Sequence, residues 1–124
     1  MPRLTVRLVL TTVLGLSAPA HAEGIILPPG FDGDYVPDGA PCTPQHAISV
    51  KDGVMVGPEF AITVTDLIEH PTDPRQVDAT LLNKAGGGEW VDGAILRLSE
   101  DGQELTFLYP DGTETIWLRC PRKN

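Results

Sequence analysis

Three aspartates in a glycine-rich stretch are the first residues whose type and spacing could do chemistry. Asp32, Asp34 and Asp38 stand among glycines, and carboxylate oxygens on a flexible turn are ligands that Ca²⁺ prefers. The spacing departs from that of an EF-hand loop, because Asp38 is displaced by one place and no glutamate closes the loop. A solvated acidic loop is the simpler interpretation. We therefore predict no metal and no cofactor, and keep these aspartates only as weak candidate ligands.

Cys42 and Cys120 are the two cysteines of the chain. An even number of cysteines in an exported protein predicts a disulfide, here one bridge between them. A zinc site or a catalytic thiol is the alternative, but neither cysteine has zinc-ligand spacing or a Cys/His nucleophile pattern around it. The sequence also contains no nucleophile elbow, phosphate-binding glycine loop or zinc-protease motif. We predict that the protein is not an enzyme and has no catalytic residues.

Trp117 and Arg119 are the candidate partner-binding residues. Strand alternation places both on one face of the last predicted strand, opposite Ile116, Leu118 and Cys120. An outward tryptophan beside an arginine is typical of the anchor of a protein interface. The alternative is that Trp117 packs beneath the proline-rich N-terminal segment.

The first residues of the chain have the three parts of a secretory signal peptide. Arg3 and Arg7 form a cationic start, residues 8–16 form an apolar run, and Ala20 and Ala22 are the small residues that precede a cleavage site. The apolar run is too short for a membrane-spanning helix, which needs about 20 residues. We predict cleavage after Ala22, a periplasmic or secreted location, and no membrane span in the mature protein.

The charge of the chain narrows the choice of partners. The full sequence has 9 basic and 17 acidic residues and a net charge of −8. Cleavage would remove Arg3 and Arg7 and leave 7 basic residues against the same 17 acidic ones, a net charge of −10. Nucleic acid and anionic lipid are bound by clustered Lys and Arg, so neither is expected as a partner. A basic protein or a cation remains compatible with this charge, and we expect a monomer.

Apolar residues that alternate with polar ones, separated by Asp-Gly turns, predict an all-β protein. Val54 and Val56, for example, follow the turn Asp52-Gly53 and complete a hairpin with Ile48 and Val50. The predicted strands cover residues 31–36, 46–51, 54–56, a stretch that begins at 60 and ends before Pro71, and residues 76–83, 89–99, 105–109 and 114–120.

Short connections between consecutive strands predict an antiparallel meander of about eight strands. Eight strands can close into a small barrel, which removes exposed sheet edges. A bridge between Cys42, just after the first strand, and Cys120, at the end of the last, fits the seam of such a barrel. A two-layer β-sandwich is the alternative. We divide the chain into a signal peptide (1–22), a Pro/Gly-rich segment with the first strand (23–45) and a β-barrel domain (46–124).

Gly33-Asp34-Tyr35 resembles the glycine-x-aromatic entry to the first strand of lipocalin-like barrels. The overall plan is similar to that of small periplasmic barrels, such as bacterial metallopeptidase inhibitors and lysozyme inhibitors. The resemblance covers architecture and export, and no functional residue is carried over from it. The acidic charge, the small disulfide-bonded scaffold and Trp117 indicate a non-enzymatic protein-binding or inhibitor module, our first expectation. The lipocalin resemblance implies the alternative, a carrier of a small apolar ligand, whose barrel interior large side chains such as Phe60, Trp90 and Phe107 would have to leave open.

Overall fold

The computed structural model describes residues 24–121, and the predicted signal peptide, residues 1–22, lies outside this part of the chain. All regular elements in the described part are β-strands. No helix there is long and apolar enough to cross a membrane. The strands are β1 (Gly33–Pro37), β2 (Ile48–Lys51), β3 (Val54–Val56), β4 (Phe60–Glu69), β5 (Gln76–Ala85), β6 (Gly88–Leu98), β7 (Glu104–Leu108) and β8 (Glu114–Arg119).

The strands form a closed antiparallel barrel in sequence order. Each strand pairs with the next, and β8 returns to pair with β1 through the register Tyr35 to Arg119 and Pro37 to Trp117. The predicted eight-stranded meander and its closure are therefore confirmed, and the β-sandwich alternative is wrong. Closure gives β1 and β8 a hydrogen-bonding partner on both sides, which an open sheet would have left exposed.

The hairpin of β2 and β3 shows how a turn sets the face of a strand. Asp52 and Gly53 have φ angles of 56° and 76°, as the two central residues of a type I′ turn require. This two-residue turn places Val50 opposite Met55, so Met55 points inward and is fully buried while Val56 is exposed. The apolar pattern had singled out Val54 and Val56 in this strand, whereas the register makes Met55 its core residue.

A β-bulge changes the inward face of the long strand β4. The register with β5 shifts by one residue between Val64 and Asp66. Before the bulge Ile62 and Val64 are buried, and after it Leu67 packs against the core. The extra residue, Thr65, is exposed, as expected for the unpaired residue of a bulge.

The barrel interior is a single hydrophobic core that includes part of the N-terminal segment. Leu27 and Phe31, which precede β1, are buried with the inward residues of the strands. The segment crosses toward β4, where the Ile25 amide donates to the carbonyl of Val64 at 2.8 Å. The remaining members of the core are Tyr35, Ile48, Val50, Met55, Ile62, Val64, Val77, Ala79, Leu81, Ala94, Leu96, Leu98, Leu105 and Phe107.

Three connections between strands are closed by an aspartate that binds the chain two residues ahead. Asp73 accepts from the Arg75 amide, Asp101 from the Ser99 hydroxyl and the Gln103 amide, and Asp111 from the Thr113 amide and hydroxyl. These hydrogen bonds lower the pKa of each carboxyl, because they favour its charged form. The stability that these hydrogen bonds give to the turns therefore depends on pH in the acid range.

We expect the barrel to lose stability as the pH falls below about 4, the ordinary range of an aspartate carboxyl. A carboxyl whose pKa is lower in the folded state stabilises the fold at every pH above its pKa in the unfolded chain. This stabilisation is lost as the pH falls through the pKa of the folded state. The variant with Asp73→Asn, Asp101→Asn and Asp111→Asn keeps an acceptor at each turn but cannot titrate. Urea unfolding at neutral and acid pH should show a smaller acid loss for this variant. A loss of stability in acid equal to that of the unaltered protein would contradict the prediction. The control is Asp66→Asn, because the Asp66 carboxylate makes no hydrogen bond in the described chain.

Candidate functional site

One end of the barrel is closed by a network around Arg119. Its Nε donates to the carbonyl of Gly102 at 2.8 Å, and Nη1 donates to that of Asp32 at 2.8 Å. Nη2 donates to the carbonyl of Gly30 and, at 2.7 Å, to the hydroxyl of Tyr35. The guanidinium carbon also lies 4.8 Å from the centre of the Tyr35 ring, a cation–π distance. Arg119 thus joins the N-terminal segment, β1 and the β6–β7 turn.

The same network explains the glycine of the Gly33-Asp34-Tyr35 sequence. A Cβ atom at Gly33 would overlap the Nη1 atom of Arg119, and the residue has a φ angle of 152°. The Tyr35 ring is fully buried, and its hydroxyl donates to the carbonyl of Phe31 at 2.7 Å. Glycine and tyrosine at this spacing therefore make room for the arginine and bind it.

The predicted outward orientation of Trp117 and Arg119 is wrong. Trp117 is opposite Leu105 in the register with β7, and Leu105 is fully buried. Trp117 is partly buried and packs against the core, whereas its neighbour Ile116 is 42% exposed. The error has a physical cause: the register of β8 with β1 and β7 places Arg119 opposite Tyr35 and Trp117 opposite Leu105, both buried, and the partly buried guanidinium keeps four acceptors in place of lost water. Partner binding by these two residues stays a prediction that the structure does not test.

The opposite end of the barrel is an open, aromatic mouth. A hollow of about 300 Å³ lies between the ends of the strands. Both tryptophans of the chain, two of its three phenylalanines and one of its two tyrosines line it. We call these five residues the aromatic mouth: Phe60, Trp90, Phe107, Tyr109 and Trp117. The other two aromatic residues, Phe31 and Tyr35, fill the closed end.

The exposure of the side chains in the aromatic mouth increases from the core toward the solvent. Phe107 is almost fully buried, and its ring centre lies 6.4 Å from that of Tyr109, within the range of an aromatic pair. Phe60 and Trp117 are partly buried against the core, and Trp90 is 49% exposed at the rim. An apolar molecule entering the hollow would cover aromatic surface that now faces water.

A polar pair lies beside the aromatic mouth. Asn83, which lines the hollow, is 8% exposed, and its Nδ2 donates to a carboxylate oxygen of Asp92 at 3.1 Å. Asp92 lies opposite Leu81 in the register of β5 and β6, and Leu81 is fully buried. The pKa of Tyr109 is raised by burial and by the charge of Asp92. The hollow thus combines apolar walls with a few polar groups, as ligand pockets do.

A second, larger hollow of about 760 Å³ runs along the outer wall beside the disulfide. Most of its lining residues are exposed, among them Asp34, Ser49, Val56 and Gln103. The surface has no concentration of aromatic side chains, so it offers a ligand little apolar contact. The mouth is therefore the stronger candidate site.

The predicted bridge between Cys42 and Cys120 is confirmed, with a Cα–Cα distance of 5.8 Å. It ties the loop between β1 and β2 to the residue that follows β8, where the Cys120 amide also donates to the carbonyl of Asp34 at 2.8 Å. The bridge therefore lies on the seam of the barrel, as predicted. A structural disulfide is consistent with an extracellular or periplasmic location.

The three candidate calcium ligands do not converge. Asp32, Asp34 and Asp38 are all exposed; Asp34 lies within β1, and the other two lie before and after it. Within residues 24–121, no three His, Cys, Asp or Glu side chains are grouped as a metal site requires. The acidic stretch is spread along the strand instead of curling around a common centre.

Sequence reasoning missed the polar pair of Asn83 and Asp92 and the grouping of the aromatic residues. Alternation did place Trp90 in step with Ala94 and Leu96, and Tyr109 in step with Phe107. The overlooked signal is that most aromatic residues lie where strands end at the same side of the barrel.

Comparison with known proteins adds no relative. No protein-family model matches the chain, no curated protein matches it, and no solved structure matches it. No family or diagnostic motif supports a lipocalin-like or inhibitor-type assignment. The chain is shown to be an eight-stranded antiparallel barrel with one disulfide, and its function must be inferred from the mouth of that barrel.

Proposed function

We propose that this protein binds a small apolar ligand in the mouth of its barrel, as a non-enzymatic carrier of the lipocalin type. The observation that carries the proposal is the hollow of about 300 Å³ lined by the five residues of the aromatic mouth. Ligand pockets of about 300–1,000 Å³ with apolar walls and few polar groups are the common form of a small-molecule site. A hollow of this size, open to solvent on one side, suits a small ligand of up to a few rings.

The difference between the two ends of the barrel supports this proposal. At the closed end, Phe31 and Tyr35 are fully buried and Arg119 binds the carbonyls around them. At the open end, Trp90 remains 49% exposed although it belongs to the inward row of β6. Exposing large aromatic side chains costs stability that burial would otherwise provide, so their collection around one opening is better explained by a ligand than by folding.

We place this binding activity in the periplasm or outside the cell. The predicted signal peptide and the disulfide between Cys42 and Cys120 support that location. A small cross-linked barrel suits such a compartment, because the bridge limits unfolding where ATP-driven refolding is absent. A carrier there would protect or transfer apolar molecules that dissolve poorly in water.

Filling the mouth should abolish ligand binding. The side chain of Ala85 lines the hollow next to Phe60, so Ala85→Trp would occupy the space that a ligand needs. We expect the affinity for Nile red, a neutral dye that fluoresces in apolar surroundings, to fall by at least about tenfold, or ~1.4 kcal/mol. Fluorescence titration of the dye measures this loss.

The matched control places the same bulky residue outside the barrel. Val91 is 63% exposed on the outer row of β6 near the same end, so Val91→Trp should leave Nile red binding unchanged. Circular dichroism and thermal unfolding check that both variants fold. Equal dye affinity in the unaltered protein and the folded Ala85→Trp variant would overturn the proposed site.

A protein-binding or inhibitory role is the second candidate, and the hairpin of β5 and β6 favours it. β6 pairs with β7 only through residues 95–98, so its first half has no second partner strand among the described residues. Trp90 and Val91 lie in that half and are exposed, as anchors of an interface would be. Capture of a specific envelope protein that is lost in Val91→Asp, with Nile red binding unaffected, would favour this role over the carrier.

A further inference from the structure

Asn83 is a buried polar side chain with an unused acceptor in the wall of the mouth. Its Nδ2 lies 3.1 Å from the Asp92 carboxylate and 3.4 Å from each of the carbonyls of Leu81 and Trp90. Three oxygens around one atom identify that atom as the amide nitrogen. The Oδ1 atom has no hydrogen-bond partner among the described residues, although Asn83 is only 8% exposed. A buried acceptor without a donor costs stability, and a ligand with an N–H or O–H group would satisfy it.

Asp92 adds a negative charge at the edge of the hollow, next to Asn83 and on the side of Tyr109 that faces the β7–β8 turn. Its carboxylate accepts from Asn83 and is partly buried in the inward row of β6. The ion pairs in the described part of the chain join Arg75 to Asp73 and Lys84 to Glu89, so Asp92 has no cationic partner there. A partly buried carboxylate attracts a cation more strongly than an exposed one, because water screens it less.

The surroundings of the mouth also favour positive charge over negative charge. Among the described residues, Lys84 is the one charged residue that lines the hollow, and its positive charge is paired, because its Nζ lies 3.4 Å from a Glu89 carboxylate oxygen. Asp111 and Glu114 lie on the β7–β8 hairpin that bounds this end. The faces of Trp90, Tyr109 and Trp117 provide electron-rich aromatic surface, which attracts cations as well as apolar groups.

From this arrangement we infer that the ligand is an organic cation, a protonated amine on an apolar or aromatic body. The inference rests on the proposed function and names the class of its ligand. The ammonium group donates to Oδ1 of Asn83 and to the Asp92 carboxylate, and the apolar body lies against the aromatic mouth. A neutral compound of the same shape satisfies one acceptor and leaves the charge of Asp92 unpaired, and an anion is repelled by it.

Three probes with the same phenylbutyl body separate charge from apolar contact. Phenylbutylammonium, phenylbutanol and 5-phenylpentanoate are titrated into the protein by isothermal calorimetry. We expect the amine to bind at least about tenfold more tightly than the alcohol, and the carboxylate to bind most weakly. Raising the salt concentration should weaken only the amine, because screening acts on charged groups.

Asp92→Asn tests the residue that selects the cation. This variant keeps the size and the acceptor of the side chain, so the affinity for phenylbutanol should be unchanged while that for the amine falls about tenfold. Asp66→Asn, which removes an exposed carboxylate of β4 that does not line the hollow, is the control and should preserve the preference. If Asp92→Asn does not fold, the unaltered protein still tests whether the site prefers a cation, through the affinity ranking of the three probes and the salt dependence of amine binding.

The outcomes separate the ligand class from the site itself. Equal binding of amine and alcohol, or binding of Nile red without any preference for the amine, would overturn the inference and leave the apolar site standing. Failure of Nile red and all three probes to bind would overturn both proposals. Preference for the amine that survives in a folded Asp92→Asn variant would show that Asp92 does not select the cation.

Discussion

Replacing Cys42 and Cys120 together by alanine is expected to lower the free energy of unfolding by about 4 kcal/mol. The bridge joins residues 78 positions apart, and in the chain-entropy model a cross-link over such a loop removes much of the freedom of the unfolded chain. It also acts at a short seam, because β1 and β8 share only three pairs in their register, from Tyr35–Arg119 to Pro37–Trp117. Urea unfolding of the oxidised protein and the double variant measures the difference.

Reduction provides the internal control for this prediction. Dithiothreitol should destabilise the unaltered protein by a similar amount and should leave the double variant unchanged. The slope of the urea transition should rise without the bridge, since the unfolded chain then exposes more surface. A loss below about 1 kcal/mol would show that the barrel seam is held by its strand pairing and core alone.

Replacing Arg119 by methionine is expected to destabilise the barrel by about 3 kcal/mol. Methionine fills similar space but donates no hydrogen bonds, so the carbonyls of Gly30, Asp32 and Gly102 and the hydroxyl of Tyr35 would lose their donor. Lysine at this position should restore only part of the stability, because one ammonium cannot reach acceptors that a planar guanidinium binds on several sides. Urea unfolding of the two variants checks this order.

Arg97 offers the matched control for the arginine prediction. It lies in β6, and its exposed side chain makes no hydrogen bond or ion pair among the described residues. Arg97→Met should change the free energy of unfolding by no more than about 0.5 kcal/mol, as is usual for surface sites. Similar losses for Arg97→Met and Arg119→Met would contradict the view that the closed end depends on the Arg119 network.

Most of the barrel could be predicted because each strand and each turn is indicated by residues that are close together in the sequence. Alternation of apolar and polar residues defines a strand within a few residues, and Asp-Gly pairs mark the turns between them. Asp52-Gly53 and Asp111-Gly112 both lie at turns in the structure, with positive φ angles at Asp52, Gly53 and Gly112. Short turns between successive strands leave an antiparallel meander as the simple topology.

The candidate site could not be predicted in the same way, because it depends on registers between strands. Trp117 and Arg119 belong to the inward row of β8 and are partly buried, since Leu105 and Tyr35 are their partners across neighbouring strands. Met55 points inward through its pairing with Val50, although valines flank it on both sides. A shift of one residue in the register exchanges the inward and outward side chains of a strand. The sequence of one strand does not specify how that strand pairs with its neighbours.

The amino-acid sequence by itself therefore determined the strands, the turns, the acidic charge and the pairing of Cys42 with Cys120. These follow from the chemistry of neighbouring residues and from the number of cysteines. Only the tertiary structure decided which end of the barrel is open, that Arg119 closes the other end, and that Asn83 and Asp92 meet beside the aromatic mouth. Residues distant in sequence come together there because strand register and barrel closure act on the chain as a whole.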